Sequence, residues 1–80
     1  MPARSQSLEH LRVCLANNVK HYRAIKGMSQ ERTALDAGID RTMLSKIERG
    51  ITNPSLDTLL KLANYLDVTV SDLLREDIPA

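Results

Sequence analysis

Aromatic side chains are almost missing from this 80-residue chain: there is no Phe or Trp, and Tyr22 and Tyr65 are the only rings besides two histidines. A core of ordinary size must then come from Leu, Ile, Val, Met and Ala, and the abundance of Leu and Ala favours helices. Cys14 is the only cysteine, which excludes an internal disulfide and suits a reducing compartment. It also makes a poor nucleophile: His10 and His21 stand one and two helical turns away and nothing else completes a site, so Cys14 reads as a small apolar helix residue. No apolar run approaches the roughly 20 residues that span a bilayer, and Met1-Pro2-Ala3-Arg4-Ser5-Gln6-Ser7 carries no apolar signal region behind its Arg. A cytoplasmic protein without a membrane association is expected. The net charge is +1, so overall charge advertises no polyanionic partner; placement of charge must carry that argument.

What is present is regular. Residues 1–6 and 77–80 lack periodicity and read as tails flanking one domain, 7–76, too short for a second core. Leu8, Leu11, Leu15, Val19 and Tyr22 recur at three- and four-residue steps, a helix entered near Ser7 and stopped at Gly27. Ser29 caps a second helix that ends at Gly38, and Asp40 caps a third running from Arg41 to about Arg49, closed by Gly50. Thr52-Asn53-Pro54 is turn chemistry; Ser55 opens a fourth helix through about Leu66. Thr69 followed by Asp72 resembles a capping box for a short fifth helix. An all-α bundle of five helices is the expected fold.

The stretch 29–50 is the informative one. A small residue, Ala34, sits where two steeply crossed helices would touch. Gly38 supplies the turn, and Leu44 and Ile47 pin the third helix to the body. On a helical wheel Arg41, Thr42, Ser45, Lys46 and Arg49 fall within roughly 140° opposite those two anchors. A short helix with that outer face fits the DNA major groove, where Arg and Lys donate to guanine and Thr meets the thymine methyl.

Ser29-Gln30-Glu31, Ala34, Gly38-Ile39-Asp40-Arg41-Thr42 and Ser45-Lys46-Ile47-Glu48-Arg49-Gly50, continued by Asn53-Pro54-Ser55-Leu56, Leu59, Leu62-Ala63, Leu66 and Val68, resemble the Cro/repressor (XRE-type) helix-turn-helix family over about residues 15–74. The resemblance implies a compact five-helix, lambda-repressor-like domain and sequence-specific double-stranded DNA binding that regulates transcription, as a repressor or autoregulator. It implies base reading by Arg41, Thr42 and Lys46, with Ser45 and Met43 flanking them; Ser45 is counted among the readers and Met43 is expected to pack. Ser29, Gln30, Arg49 and Asn53 match positions near phosphates, Gln30 also steadying the first reader. Arg23 and Glu48 match a structural ion pair between the first and third helices. Three departures stand out. Thr33 replaces the usual Leu or Met, which predicts looser packing of the second helix. Leu35 faces away from Ala34 and is expected to be exposed. Residues 1–14 carry the chain beyond the family minimum at the first helix, where Leu8 and Leu11 continue the apolar stripe, so this extension either lengthens the core or helps a partner subunit.

On the fourth helix Leu56, Leu59, Leu62, Ala63 and Leu66 read as one core face, leaving Leu60 off it. Val70 and Leu73 reach inward, which leaves Leu74 and Ile78 facing out. Leu60, Leu74 and Ile78 are the expected homodimer surface, because two recognition helices related by a twofold axis read half-sites about 10 bp apart, or a multiple, in a palindromic operator. The alternative function is an antitoxin-like or other protein-interaction module on the same scaffold. An enzyme is not expected: Asp36, Asp40 and Glu48 form no paired cleft, and neither metal-ligand spacing nor a Gly-rich phosphate loop appears, so no cofactor or metal is called for.

Overall fold

The computed structural model describes residues 6–76. Five helices follow in order: α1 Leu8–Lys26, α2 Gln30–Ala37, α3 Arg41–Glu48, α4 Leu56–Leu66 and α5 Val70–Leu73. Each begins where a short polar side chain accepts a backbone N–H of the first turn. Ser7 takes that of His10, Ser29 that of Arg32, Asp40 that of Thr42, Ser55 that of Thr58 and Thr69 that of Asp72. A cap of this kind is worth about 1 kcal/mol, so the sequence punctuates its own helices. The Thr69–Asp72 capping box is complete in both directions. At the other ends, α2 is closed by Gly38 at φ +75°, a left-handed turn that a side chain would strain. Asp67 closes α4 at φ +59°. The expected end of α3 at Arg49 falls one residue later than observed: Arg49 is the right-handed cap, and Gly50 makes the turn at φ +70°.

The core lies where α1 crosses α3, α4 and α5, with α2 packed on α3 and α4. Val19, Leu44, Leu62 and Leu73 are fully buried, and Tyr22, Ile39, Met43 and Val70 pack around them half-buried. Ala34 is 2% exposed at the α2 crossing, where a larger side chain would separate the helices. Cys14 is buried, its Sγ 3.6 Å from His10 Nε2. Fully buried Asn18 secures the four-residue α5: its Nδ2 donates to the carbonyls of Leu73 at 2.9 Å and Arg75 at 2.8 Å. The Leu73 carbonyl belongs to the last turn of α5, where carbonyls have no partner within the helix.

Two sequence expectations are corrected here. Thr33, for which looser packing is expected, is 0% exposed, and its hydroxyl has no hydrogen-bond partner among the described residues. Leu56 is not core: it is 77% exposed, because the first turn of α4 projects past the body and only from Leu59 onward does the helix meet it. Leu74 is half-buried, not outward. The chain leaves α5 at this residue, and Leu74 lines an apolar groove of about 150 Å³ together with Leu8, Leu11 and Leu59. Leu60 is 52% exposed, and Leu35 is 70% exposed. Ile78 lies outside the described residues. No helix among them is long and apolar enough to cross a membrane.

Candidate nucleic-acid interface

Helix α3 has two unlike sides. Leu44 and Ile47 are 0% and 1% exposed, which fixes the helix rotation about its own axis. Arg41, Thr42, Lys46 and Arg49 are exposed on the opposite side, with Ser45 half-buried between them. Nothing in the described chain covers this face. A shallow concavity beside it is lined by Gln30, Arg41, Thr42 and Ser45, so the start of α2 and the start of α3 open onto the same surface.

The tilt of α3 is held by a polar cluster at its base. Arg23 on α1 grips Glu48 with two bonds, Nε to Oε2 at 2.7 Å and Nη2 to Oε1 at 2.9 Å, and spends Nη1 on the Met28 carbonyl at 2.9 Å. Gln30 Nε2 donates to the same Glu48 Oε1 at 3.2 Å. The hydrogen bond to Glu48 raises the Arg23 pKa above the ordinary arginine value, against an opposing desolvation. The Glu48 side chain is 5% exposed and that of Arg23 23%. Planar, bidentate geometry of this kind sets direction as well as distance. Burial of charge is costly in itself, so the gain is in orientation: one carboxylate ties α1, α2 and α3 into a single frame.

The remaining candidate residues are placed as follows. Ser29 is exposed and occupied as the α2 cap. Gln30 is half-buried and bonded to Glu48, and it lines the same concavity as Arg41, Thr42 and Ser45. Arg49 is exposed, its Nε 3.4 Å from the Ser45 carbonyl one turn back. Asn53 is exposed in the α3–α4 connection, and its Oδ1 accepts from Arg12 Nε at 2.7 Å. Met43 is half-buried against the core, with the Thr52 hydroxyl 3.8 Å from its sulfur.

Two contacts escape a reading of the sequence. Arg41 Nη1 stands 3.8 Å from Glu31 Oε2, both side chains largely exposed; a pair so exposed is worth little, and it leaves Arg41 free to exchange partners. Arg12, a turn and more beyond the recognisable motif, reaches the α3–α4 connection. Neither follows from periodicity, because each joins elements whose relative placement is tertiary. The side chains at this surface supply donors, cations and one thymine-sized apolar contact in Thr42, the inventory for phosphate oxygens and base edges.

Comparison with known proteins gives the same picture. A helix-turn-helix family model, HTH_3, matches residues 19–73. The chain is similar to a hypothetical transcription factor from Neisseria: the crystal structure of that protein superposes with a TM-score of 0.79 at 39% identity, covering 94% of this chain and 86% of that one. It is 38% identical over 74 residues to the control protein C.SmaI of Serratia marcescens, covering 92% of this chain and 88% of that protein. The N-terminal DNA-binding domain of SinR from Bacillus subtilis matches with a TM-score of 0.78 at 38% identity, over 88% of this chain and 99% of that domain; against whole SinR the chain spans 57% of the length. On the family match, the shared fold and these relatives, the chain belongs to the helix-turn-helix family HTH_3, a family of DNA-binding transcription regulators.

Proposed function

We propose that this protein binds a specific double-stranded DNA operator as a homodimer and represses or autoregulates transcription, with no catalytic step of its own. The observation that carries the reading is the two-sided α3: a helix locked by Leu44, Ile47 and Glu48, with Arg41, Thr42, Ser45 and Lys46 presented outward. Arg41, Thr42 and Lys46 read bases, with Ser45 between them. Ser29, Gln30, Arg49 and Asn53 lie around that helix and serve the phosphates. Gln30 does so from its bond to Glu48, so its amide is already oriented when DNA arrives.

The homodimer reading is supported by Leu60 and by Leu56, one turn apart on α4 and both more than half exposed. A single eight-residue recognition helix touches too few base pairs for useful selectivity, and a twofold pair reads a palindrome. Selection of bound duplexes from a random pool tests the reading directly. Enrichment of an inverted repeat with half-sites spaced by about one helical turn or a multiple is expected. A pool that emerges without any enriched sequence would overturn it, and the exposed Leu35 on α2 would then favour a protein-interaction module.

A further inference from the structure

The connection between α3 and α4, residues 49–55, runs against α1. Arg12 Nε donates to Asn53 Oδ1 at 2.7 Å across 41 positions of sequence. Close by, a Cβ placed on Gly50 would meet the Arg12 carbonyl oxygen at 3.6 Å and Ala16 Cβ at 3.9 Å, so the connection runs directly over this turn of α1. Arg12 is half-buried among Thr52, Asn53 and Pro54, a setting that limits where its guanidinium can go.

The chemistry of the bond has a direction. A guanidinium carries donors only, whereas a carboxamide has an acceptor end and a donor end. Facing Arg12, Asn53 must turn its oxygen inward and its NH2 outward. Asn53 is exposed and makes no other hydrogen bond among the described residues, so both Nδ2 hydrogens remain for an external acceptor.

We infer that Arg12 is a positioning residue for DNA binding: it orients the Asn53 amide so that the α3–α4 connection presents a preset donor to a phosphate oxygen. This rests on the DNA-binding reading above and adds to it a residue of α1. Arg12 acts through Asn53 and does not itself neutralise a phosphate.

The test uses the full chain, with anisotropy titrations of labelled selected and scrambled duplexes over a salt series and with thermal melts of each variant. Arg12→Ala lowers affinity for both duplexes by about three- to tenfold, less than the worth of a full hydrogen bond to a charged group because the Asn53 amide, though no longer oriented, still reaches the phosphate, while the salt slope stays at the wild-type value. Arg12→Lys, which also offers only donors, retains most of the affinity. Arg12→Gln matches the Ala variant although it fills similar space, because a second carboxamide accepts either end of Asn53. Asn53→Ala combined with Arg12→Ala binds no worse than Asn53→Ala alone, since the two act as one device. Asn53→Asp binds worse than Asn53→Ala, because it keeps the Arg12 partner but turns a carboxylate toward the phosphate.

A salt slope reduced by about one in Arg12→Ala, or losses that multiply in the double variant, would make Arg12 a direct phosphate contact and overturn the inference. Unchanged affinity with a lowered melting temperature would reduce Arg12 to a structural tie and overturn it equally. If Arg12→Ala fails to fold, the contrast between Lys and Gln decides. A wild-type chain that binds no duplex takes down the DNA-binding reading itself, an outcome distinct from wild-type binding that Arg12 does not influence.

Discussion

On the proposed reading, side chains in this molecule divide into those that specify and those that hold. Arg41 and Lys46 stand exposed on α3, so on the proposed reading each of Arg41→Ala and Lys46→Ala costs ~1–3 kcal/mol at the selected operator and relaxes preference at one base position. Arg49→Ala weakens all duplexes about equally and lowers the salt slope by about one. Titrations on matched and scrambled DNA separate the two behaviours; equal losses from all three would show that the division into readers and anchors is mistaken. Thr33 yields a prediction in stability. Its buried hydroxyl has no partner, and an unbonded hydroxyl in an apolar site costs about 1–3 kcal/mol. Thr33→Val keeps the shape and removes that cost, so chemical denaturation should show a gain of about 1 kcal/mol, and a loss would mean that the hydroxyl is bonded in solution. Neither the full burial of this site nor its missing bond was legible in the sequence, because Thr33 departs from the expected residue type and periodicity carries no information on how closely α4 approaches.

Among the elements, α3 and α5 depend most on their surroundings. Each is short, with eight and four residues, below the length at which a helix persists alone in water. Helix α3 is held by its two apolar anchors and the Arg23–Glu48 clasp, and α5 by Asn18 and its capping box. The box makes α5 sensitive to acid. The Thr69 backbone N–H, with its hydroxyl, holds the Asp72 carboxyl below its usual range, so the ionised form is favoured in the folded state. That stabilisation is complete above the unfolded-state value of about 3.9 and is lost as pH falls through the lower folded value. Unfolding curves of wild type and Asp72→Asn should therefore separate at neutral pH and converge under acid; a separation constant down to pH 2 would contradict the box. The helices themselves were readable in advance, caps included, because an N-cap is a local property of four residues. The one-residue difference at the end of α3 is the usual fraying of a terminus.

At the scale of the whole molecule, the homodimer reading requires apolar surface through which two copies meet. Leu56 and Leu60 form an exposed apolar strip on α4, and an apolar groove lined by Leu8, Leu11 and Leu74 lies at the α1–α5 end of the fold. On the homodimer reading, Leu60→Glu places a charge in the interface and shifts the monomer–dimer equilibrium toward monomer by at least tenfold, about 1.4 kcal/mol. Operator affinity falls with it, while the melting temperature of the monomer stays close to wild type. Sedimentation across a concentration series checks both. Self-association unaffected by the substitution would move the interface away from α4. The strip differs from the surface expected from sequence, because Leu56 joins it from the supposed core face and Leu74 leaves it for the groove.

The chain by itself determined the five helices of the described residues to within a residue at their ends, the all-α class and the outer face of α3. Capping, glycine turns and apolar spacing act over a few residues and need no knowledge of the rest. What lies between elements was decided only in three dimensions. On a wheel Glu48 sits within roughly 20° of Arg41, yet it is buried and Arg41 is exposed, because Arg23 of α1 closes over one end of α3 and nothing closes over the other. Leu56 emerges, Thr33 is sealed, and Arg12 meets Asn53 for the same reason. Each outcome depends on which helix passes overhead, a distance set by the packing of the whole and absent from any local pattern.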